Sequence, residues 1–372
     1  MTHREHLEGL ASANRLRSLK PRSGSDFSSN DYLGLANSAR LRDAVLDALL
    51  GGVAIGSGGS RLLRGNDLEH ERLEAEAAAF FGSESALYLS SGFAANETLF
   101  ATLPQRGDLV VHDELIHASA HEGLRCGRAE RLSAQHNDVD AFADAIKRWR
   151  AGGGSGRPWI AVESLYSMDG DRAPLDGLAA LADEQDAFLV IDEAHAVGVF
   201  GPDGRGLAAH LDGRENVIVL RTCGKALGVE GALLCLPRVF RDFLVNRGRG
   251  FIFSTAPSPL MARAVGEALR ICAEEPQRRE ALQQRVRLAE QALGGLGISA
   301  SGSQIIPVIL GEDARAMRVA GTLQEAGYDV RGIRPPTVPA GTSRLRISVT
   351  LNASDADIRG LGEALQMAMR AA

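Results

Sequence analysis

Apolar residues in this chain recur in two patterns, one typical of buried strands and one typical of helices. Between residues 86 and 236, short apolar runs alternate with segments of helical periodicity. The runs lack the strict alternation of a half-exposed strand, so they predict strands buried on both faces of a mainly parallel sheet. They cover residues 86–90, 108–112, 159–163, 187–192, 216–220 and 232–236. The pattern predicts an α/β fold whose large domain has three layers.

The regions on either side of these runs predict two further parts. Residues 1–40 are polar and serine-rich, which indicates an arm, and the large domain is expected over 41–260. A smaller C-terminal α/β domain is expected over 261–372, with a βαβ-like unit. Its predicted elements cover residues 304–310, 314–326, 328–333 and 344–351, with a last helix from about residue 354.

Composition narrows the class of protein. The formal net charge of −6 argues against a nucleic-acid surface, which needs clustered basic residues. No apolar run reaches the length of a membrane span, and the first residues lack the apolar core of a signal peptide. The four cysteines include no Cys-x-x-Cys pair. We therefore expect a cytoplasmic protein with reduced thiols and no membrane or nucleic-acid partner.

Lysine is scarce in this chain, which makes Lys225 conspicuous. Only Lys20, Lys147 and Lys225 are lysines, whereas arginine is abundant. Lys225 follows the apolar run 216–220, and ligands of α/β sheets collect where strands end at their carboxyl edge. The ordinary alternative is a solvated surface lysine. The position of Lys225 after a buried strand indicates instead an amine that forms an imine, a reaction that arginine cannot perform.

Asp192 ends the preceding apolar run in the sequence Asp-Glu-Ala-His. A helicase-type box of this kind would bind magnesium, but it requires a phosphate loop Gly-x-x-x-x-Gly-Lys-Ser/Thr that this chain lacks. The alternative is a carboxylate that keeps a pyridine nitrogen protonated, so that the ring accepts electrons from a substrate carbanion.

His117 and His121 are four residues apart and could face a metal from one side of a helix. The first of them lacks the neighbouring glutamate of the zinc-protease motif, so stacking of His117 on a flat cofactor is the preferred hypothesis. The turn 90–96 between a strand and a helix predicts a phosphate site, because a helix amino terminus offers free N–H groups. The loop 56–65 has Arg61 where a dinucleotide motif needs its third glycine, which disfavours NAD.

Arg334 begins a proline-bracketed segment, residues 334–342. Its planar guanidinium suits a carboxylate, and a stiff loop lowers the entropy of holding it in place. The alternative is a surface turn with one exposed arginine.

Taken together, these motifs resemble the α-oxoamine synthase family of pyridoxal-phosphate enzymes. The resemblance runs in order through nearly the whole chain. It includes Asn30-Asp-Tyr-Leu-Gly, residues 56–66, Ser91-Gly-Phe-Ala-Ala-Asn, His117-Ala-Ser, Ser167-Met-Asp-Gly-Asp, Asp192-Glu-Ala-His, Thr222-Cys-Gly-Lys and residues 334–342.

The resemblance implies a fold-type-I transferase, usually a homodimer with active sites at the subunit interface. It implies that Lys225 holds pyridoxal 5′-phosphate as a Schiff base, that Asp192 pairs with the pyridine nitrogen and that His117 stacks on the ring. Further residues are implied near the ring hydroxyl (Ser167, His195), at the phosphate (Gly92, Phe93, Thr222), at the partner subunit's phosphate (Ser254, Thr255) and at the substrates (Asn30, Arg334, Thr337, Arg17).

The implied reaction is a decarboxylative condensation of L-alanine with a pimeloyl thioester, carried by coenzyme A or by an acyl carrier protein. Three alternatives remain open at this point. They are a sister synthase that uses glycine or serine with another acyl-CoA, a metal hydrolase built on His117 and His121, and a non-catalytic binding protein.

Overall fold

The computed structural model describes residues 2–372, with helices and strands numbered here in chain order. The helices are α1 (His3–Ser12), α2 (Ala39–Leu50), α3 (Leu68–Phe81), α4 (Gly92–Thr102), α5 (Ala118–Cys126), α6 (Val139–Ala151), α7 (Leu175–Glu184), α8 (Arg238–Arg247), α9 (Arg249–Ile252), α10 (Pro259–Glu274), α11 (Pro276–Gly294), α12 (Asp313–Glu325) and α13 (Asp355–Ala371). The strands are β1 (Ser25–Asp26), β2 (Ser85–Leu89), β3 (Leu109–Asp113), β4 (Glu130–Ala134), β5 (Pro158–Glu163), β6 (Phe188–Asp192), β7 (Val217–Thr222), β8 (Ala232–Leu236), β9 (Ile305–Gly311), β10 (Tyr328–Asp329), β11 (Arg331–Ile333) and β12 (Ser343–Ser348).

The chain divides into two compact units. The larger unit comprises Gly34–Tyr166 and Arg172–Arg279, and the smaller unit comprises the described residues up to Leu33, Ser167–Asp171 and Glu280–Ala372. These bounds differ from the expected division into 1–40, 41–260 and 261–372. The difference arises because α10 packs on α2 and α3 and so belongs to the larger unit.

The larger unit is built on a seven-stranded sheet in the order β2-β8-β7-β6-β5-β3-β4. Strand β8 runs antiparallel to both of its neighbours, and the other pairs are parallel. Six of these strands correspond to the six predicted apolar runs. The seventh, β4, lies at the sheet edge and is largely exposed, which explains why its polar sequence gave no apolar signal.

Apolar side chains project from both faces of this sheet. Alternate strand residues such as Val111 and Ile191 pack with α6 and α7 on one side, whereas Val110 and Val190 pack with α4 and α5 on the other. Two cores on opposite faces of one sheet make the three layers that the sequence predicts. Both faces of the sheet are buried, so charged side chains that could act in catalysis are expected at the strand ends.

The smaller unit contains the three-stranded sheet β11-β12-β9 and a parallel pair of β1 with β10. Strand β12 is antiparallel to both neighbours, so β9 and β11 run parallel to each other but are not adjacent. The predicted βαβ-like unit is therefore present in split form, with β12 inserted between its two strands. No helix within residues 2–372 has the length and apolar character to cross a bilayer.

Gly123 marks the closest approach of α5 to α4. A Cβ atom there would lie 2.7 Å from the carbonyl oxygen of Asn96 and 2.9 Å from Cβ of Phe100. We expect Gly123→Ala to destabilise the protein by about 1–3 kcal/mol, because overpacking forces the two helices apart. The free energy of unfolding in urea measures this change.

Gly321 in α12 is the matched control, because a Cβ there would meet no atom of the described chain within 4 Å outside its own helix. Gly321→Ala should raise the free energy of unfolding by roughly 0.5–1 kcal/mol through helix propensity. A Gly123→Ala variant that gains stability in the same way would contradict the close-packing argument.

Candidate active site

Lys225 and His195 come together at the carboxyl edge of the large sheet. Strands β6 and β7 are parallel neighbours in register, with Asp192 opposite Leu220, so both chains leave the sheet at the same edge. Lys225 follows three residues after β7, and its Nζ lies 3.0 Å from Nε2 of His195. His195 is buried in the turn after β6. A lysine amine is thus held beside an imidazole in the crevice where α/β sheets bind ligands.

Asp192 is the last residue of β6 and is buried. Its Oδ1 accepts a hydrogen bond from the backbone N–H of Ala194 at 2.9 Å, and its Oδ2 accepts one from Nδ2 of Asn96 at 2.8 Å. Both oxygens of Asp192 therefore accept hydrogen bonds from buried donors, which fixes the orientation of this carboxyl group.

His117 is the N-cap residue of α5. Its Nδ1 accepts a hydrogen bond from the backbone N–H of Ser119 at 3.2 Å and lies 2.7 Å from Oγ of Ser119. Desolvation lowers the pKa of His117, with Asp192 opposing the shift and Lys225 adding to it. His117 therefore interacts electrostatically with both Asp192 and Lys225. Because its pKa is lowered, its ring is predominantly neutral near pH 7.

The second histidine of the possible metal pair makes a different contact. The ring of His121 lies edge-on to that of His112, with centroids 4.9 Å apart. Nowhere in residues 2–372 do three or more His, Cys, Asp or Glu side chains form a group that could hold a metal ion.

The first turn of α4 lies beside Thr222. A Cβ atom on Gly92 would be 3.5 Å from Oγ1 of Thr222, so glycine leaves this space open. Ser91 caps the helix by accepting from the N–H of Ala94, whereas the amides of Gly92 and Phe93 have no acceptor within the helix. Two backbone donors at a helix amino terminus and a nearby hydroxyl fit a phosphate group.

Ser254 and Thr255 are exposed and follow α9. The next residue, Ala256, donates its N–H to the carbonyl of Gly59 at 2.9 Å and accepts from Oγ of Ser57 at 2.7 Å. The glycine-rich loop 56–66 is thereby tied to the segment that carries the two hydroxyls.

Five predicted site residues lie in the smaller unit. Among them, Oδ1 of Asn30 accepts hydrogen bonds from the Tyr32 hydroxyl and from Nη2 of Arg346, both at 3.0 Å. Nε of Arg346 also donates to the carbonyl oxygen of Ser167 at 2.6 Å. Arg346 therefore joins Asn30 to the segment 167–171.

Besides Asn30 and Ser167, the predicted site residues in the smaller unit are Arg17, Arg334 and Thr337. Nη2 of Arg17 lies 3.3 Å from Oγ1 of Thr337, and Nη2 of Arg334 donates to the carbonyl of Leu16 at 2.9 Å. Arg334 is buried, and desolvation lowers its pKa, with Arg17 acting in the same direction. The surface-turn alternative for Arg334 is therefore wrong.

Sequence reasoning did not single out Asn96, Ser119 or Arg346. Asn96 and Ser119 are polar residues on largely apolar buried helix faces. Arg346 is a buried arginine in strand β12, whose residues 344–348 alternate polar and apolar side chains. For Asn96 and Ser119, the available signal was a polar residue at a helix position that faces the core. Arg346 lies on the polar side of the alternation in β12, so periodicity gave no signal of its burial.

The turn that carries His195 is anchored by Glu193. Oε1 of this buried carboxyl accepts from the N–H of Ala208 at 3.0 Å. Gly206 has a φ of +104°, and a Cβ there would lie 1.4 Å from Oε2 of Glu193. Only glycine can therefore occupy position 206 beside this carboxyl.

Comparisons with known proteins agree with this architecture. A family model described as aminotransferase class I and II matches residues 23–365. The 8-amino-7-oxononanoate synthase of Chromobacterium violaceum is 44% identical over 88% of this chain and 85% of its own length. That of Anaeromyxobacter dehalogenans is 43% identical over 91% of this chain and 84% of its own length.

Solved structures show the same likeness. Serine palmitoyltransferase from S. paucimobilis, with a bound PLP–myriocin aldimine, has a TM-score of 0.89 and 26% identity, covering 99% of this chain and 96% of that one. The 8-amino-7-oxononanoate synthase of Francisella tularensis has a TM-score of 0.79 and 26% identity, covering 94% of this chain and 98% of that one. The α/β fold and the motif-based resemblance are confirmed.

Burial raises the pKa of Glu193 to about 7. The folded protein therefore keeps this proton up to near neutral pH, whereas the unfolded chain releases it near pH 4.5. The contribution of the protonated carboxyl to stability is full below pH 4.5 and is lost as the pH rises through 7.

Glu193→Gln removes this titration. We expect the free energy of unfolding of the wild type, relative to the variant, to fall by at most about 3 kcal/mol between pH 4.5 and pH 8. Urea titrations at both pH values measure this fall, with Glu184→Gln, at an exposed position on α7, as the control. A Glu193→Gln difference that is the same at both pH values would refute the assignment.

Proposed function

This chain belongs to the aminotransferase class I and II family, and we propose that it joins L-alanine to a pimeloyl thioester. The products are 8-amino-7-oxononanoate, carbon dioxide and the free thiol carrier. The proposal rests on curated relatives of that name at 43–44% identity. The single observation that carries it is the Lys225 amine, 3.0 Å from His195 at the sheet edge that Asp192 shares.

The cofactor is pyridoxal 5′-phosphate. When bound, it withdraws electrons from the α-carbon of an amino acid joined to its aldehyde carbon, which makes the α-proton removable. The residues fit this molecule because its three polar parts each meet a matching group. Lys225 offers an amine to the aldehyde, Asp192 a carboxylate to the ring nitrogen, and the α4 amino terminus with Thr222 a phosphate site.

The remaining cofactor contacts follow from the same placement. His117 would lie against the ring, and His195 and Ser167 would approach its hydroxyl. The backbone amides of Gly92 and Phe93 would donate to the phosphate. Ser254 and Thr255, which are exposed in the single chain, would reach the phosphate of a second subunit.

In the reaction, Lys225 has two tasks. Its amine would hold the cofactor between turnovers and would take the α-proton of alanine as general base. The α-carbon then forms a bond to the thioester carbonyl carbon as the thiolate leaves. The former alanine carboxylate departs as carbon dioxide, and a proton returns to the α-carbon. His195, next to Nζ, orients the amine for these proton transfers.

Substrate recognition is assigned to the residues of the smaller unit. Asn30, Arg334 and Thr337 would receive the amino-acid carboxylate and the acyl chain, with Arg17 beside Thr337. We add Arg346 to this group, because it donates directly to Asn30 and to the backbone of Ser167. Coenzyme A and an acyl carrier protein are the two thioester carriers to be tested.

We also propose that the chain forms a homodimer. Several large apolar side chains from the end of α2 to the start of α3 are exposed, among them Leu50 at 87% and Leu63 at 81%, as is Phe253 at 71%. Hydrogen bonds between Ala256 and both Gly59 and Ser57 hold loop 56–66 next to the segment that carries Phe253. Exposed apolar groups concentrated in this way mark protein interfaces.

The four cysteines are free thiols, which fits a reducing compartment. This observation favours the cytoplasm as the location of the enzyme.

The activity is tested by incubating the purified protein with pyridoxal phosphate, pimeloyl-CoA and L-alanine, glycine or L-serine in turn. We expect aminoketone and carbon dioxide with L-alanine in preference to the other two. Parallel reactions with a pimeloyl carrier protein identify the thioester. Product with glycine and acetyl-CoA, and none with alanine, would assign the chain to a sister synthase.

Lys225→Ala should abolish turnover, because no other lysine replaces its amine. Lys147→Ala, at an exposed position on α6, should keep full activity. After borohydride reduction, peptide mapping by mass spectrometry should find the cofactor on Lys225 of the wild type. Cofactor on Lys147 or Lys20 instead would overturn the assignment.

Leu63→Asp should weaken the dimer, because it places a charge in the exposed apolar surface. Sedimentation velocity should detect a shift toward monomer at micromolar concentration. Val239→Asp, at an exposed position on α8, is the control and should sediment as the wild type does. A wild-type chain that is monomeric at every concentration would contradict the homodimer.

A further inference from the structure

Two buried residues outside the assigned site connect Asp192 to His117. Asn96, on α4, places Nδ2 at 2.8 Å from Oδ2 of Asp192 and at 2.9 Å from Oγ of Ser119. Ser119, in the first turn of α5, places the same Oγ at 2.7 Å from Nδ1 of His117. Asn96 and Ser119 are almost completely buried, at 2% and 1% exposure.

The direction of each hydrogen bond follows from the groups at the ends. A carboxylate only accepts, so the amide of Asn96 must turn its NH₂ group, and not its oxygen, toward Asp192. The same NH₂ group then donates its second hydrogen to Oγ of Ser119. The Ser119 hydroxyl is left to donate its own hydrogen to Nδ1 of His117.

A ring nitrogen that accepts a hydrogen bond carries no proton. The backbone N–H of Ser119 points at the same Nδ1 from 3.2 Å, so two donors converge on it. In the neutral imidazole the proton must therefore reside on Nε2. His117 then presents an N–H donor on the side of the ring away from its own helix.

We propose that Asn96 and Ser119 are positioning residues that link the carboxylate of Asp192 to His117 and fix the tautomer and orientation of its ring. This role rests on the proposed function, since it matters for catalysis only if His117 and Asp192 both face the cofactor. The hydrogen-bond chain itself is a property of the protein and can be tested without turnover.

The test is nitrogen-15 NMR of the full-length protein labelled at histidine, recorded before and after addition of pyridoxal phosphate. The chain has nine histidines, and His117→Gln identifies the resonances of His117. In the wild type we expect a proton on Nε2 and an unprotonated, hydrogen-bonded Nδ1. Ser119→Ala should move the Nδ1 resonance toward that of a nitrogen with a weaker hydrogen bond.

Asn96→Leu should move the same resonance although Asn96 does not touch His117. Ser119→Thr keeps a hydroxyl and should restore the wild-type spectrum. Thr98→Val is the matched control, because Thr98 is also buried on α4 and its hydroxyl has no hydrogen-bond partner among residues 2–372. In the active enzyme, Ser119→Ala should lower kcat roughly 2- to 10-fold, the loss of one hydrogen bond.

A wild-type spectrum with the proton on Nδ1 would overturn the proposal. So would Asn96→Leu and Ser119→Ala spectra that match that of Thr98→Val. If the proposed function were wrong instead, no cofactor would be found on Lys225, while the NMR result on His117 would stand.

Discussion

A sheet covered by helices on both faces allows charged side chains only at its ends. This constraint organises the larger unit. Its core strands carry apolar residues toward both layers, and the carboxylate of Asp192 appears at the last position of β6. Because β6 and β7 are parallel and in register, the lysine that follows β7 reaches the same edge. The chemistry of the site is therefore a consequence of strand direction and burial.

The helices supply what the strands cannot. The amino terminus of α4 offers backbone donors beside Thr222, and the N-cap of α5 places an imidazole near Asp192 and Lys225. Buried polar residues then link these parts, since each unpaired polar group in such a site would be costly. Within the smaller unit, Arg346 has a comparable role, because one guanidinium contacts Asn30, Tyr32 and the backbone of Ser167.

The features that could be predicted from the sequence are those whose pattern lies within one short segment of the chain. The apolar runs predicted six of the seven strands of the large sheet. Asp192 at the end of one run and Lys225 soon after the next were singled out as site candidates by their position. The edge strand β4 was missed because an edge strand exposes polar residues. Arg346 and the Asn96–Ser119 pair were missed because their partners are distant in sequence, and periodicity does not report which polar side chain meets which.

The contact between α4 and α5 at Gly123 has a consequence for ligand choice. Where two helices touch through backbone atoms, neither can shift without the other. The turn of α4 that we propose as the phosphate site and the imidazole at the start of α5 are thus held at a fixed separation. Such a pair selects molecules by length: a flat ring joined to an anionic arm of one particular reach can occupy both places at once, and a longer or shorter one cannot.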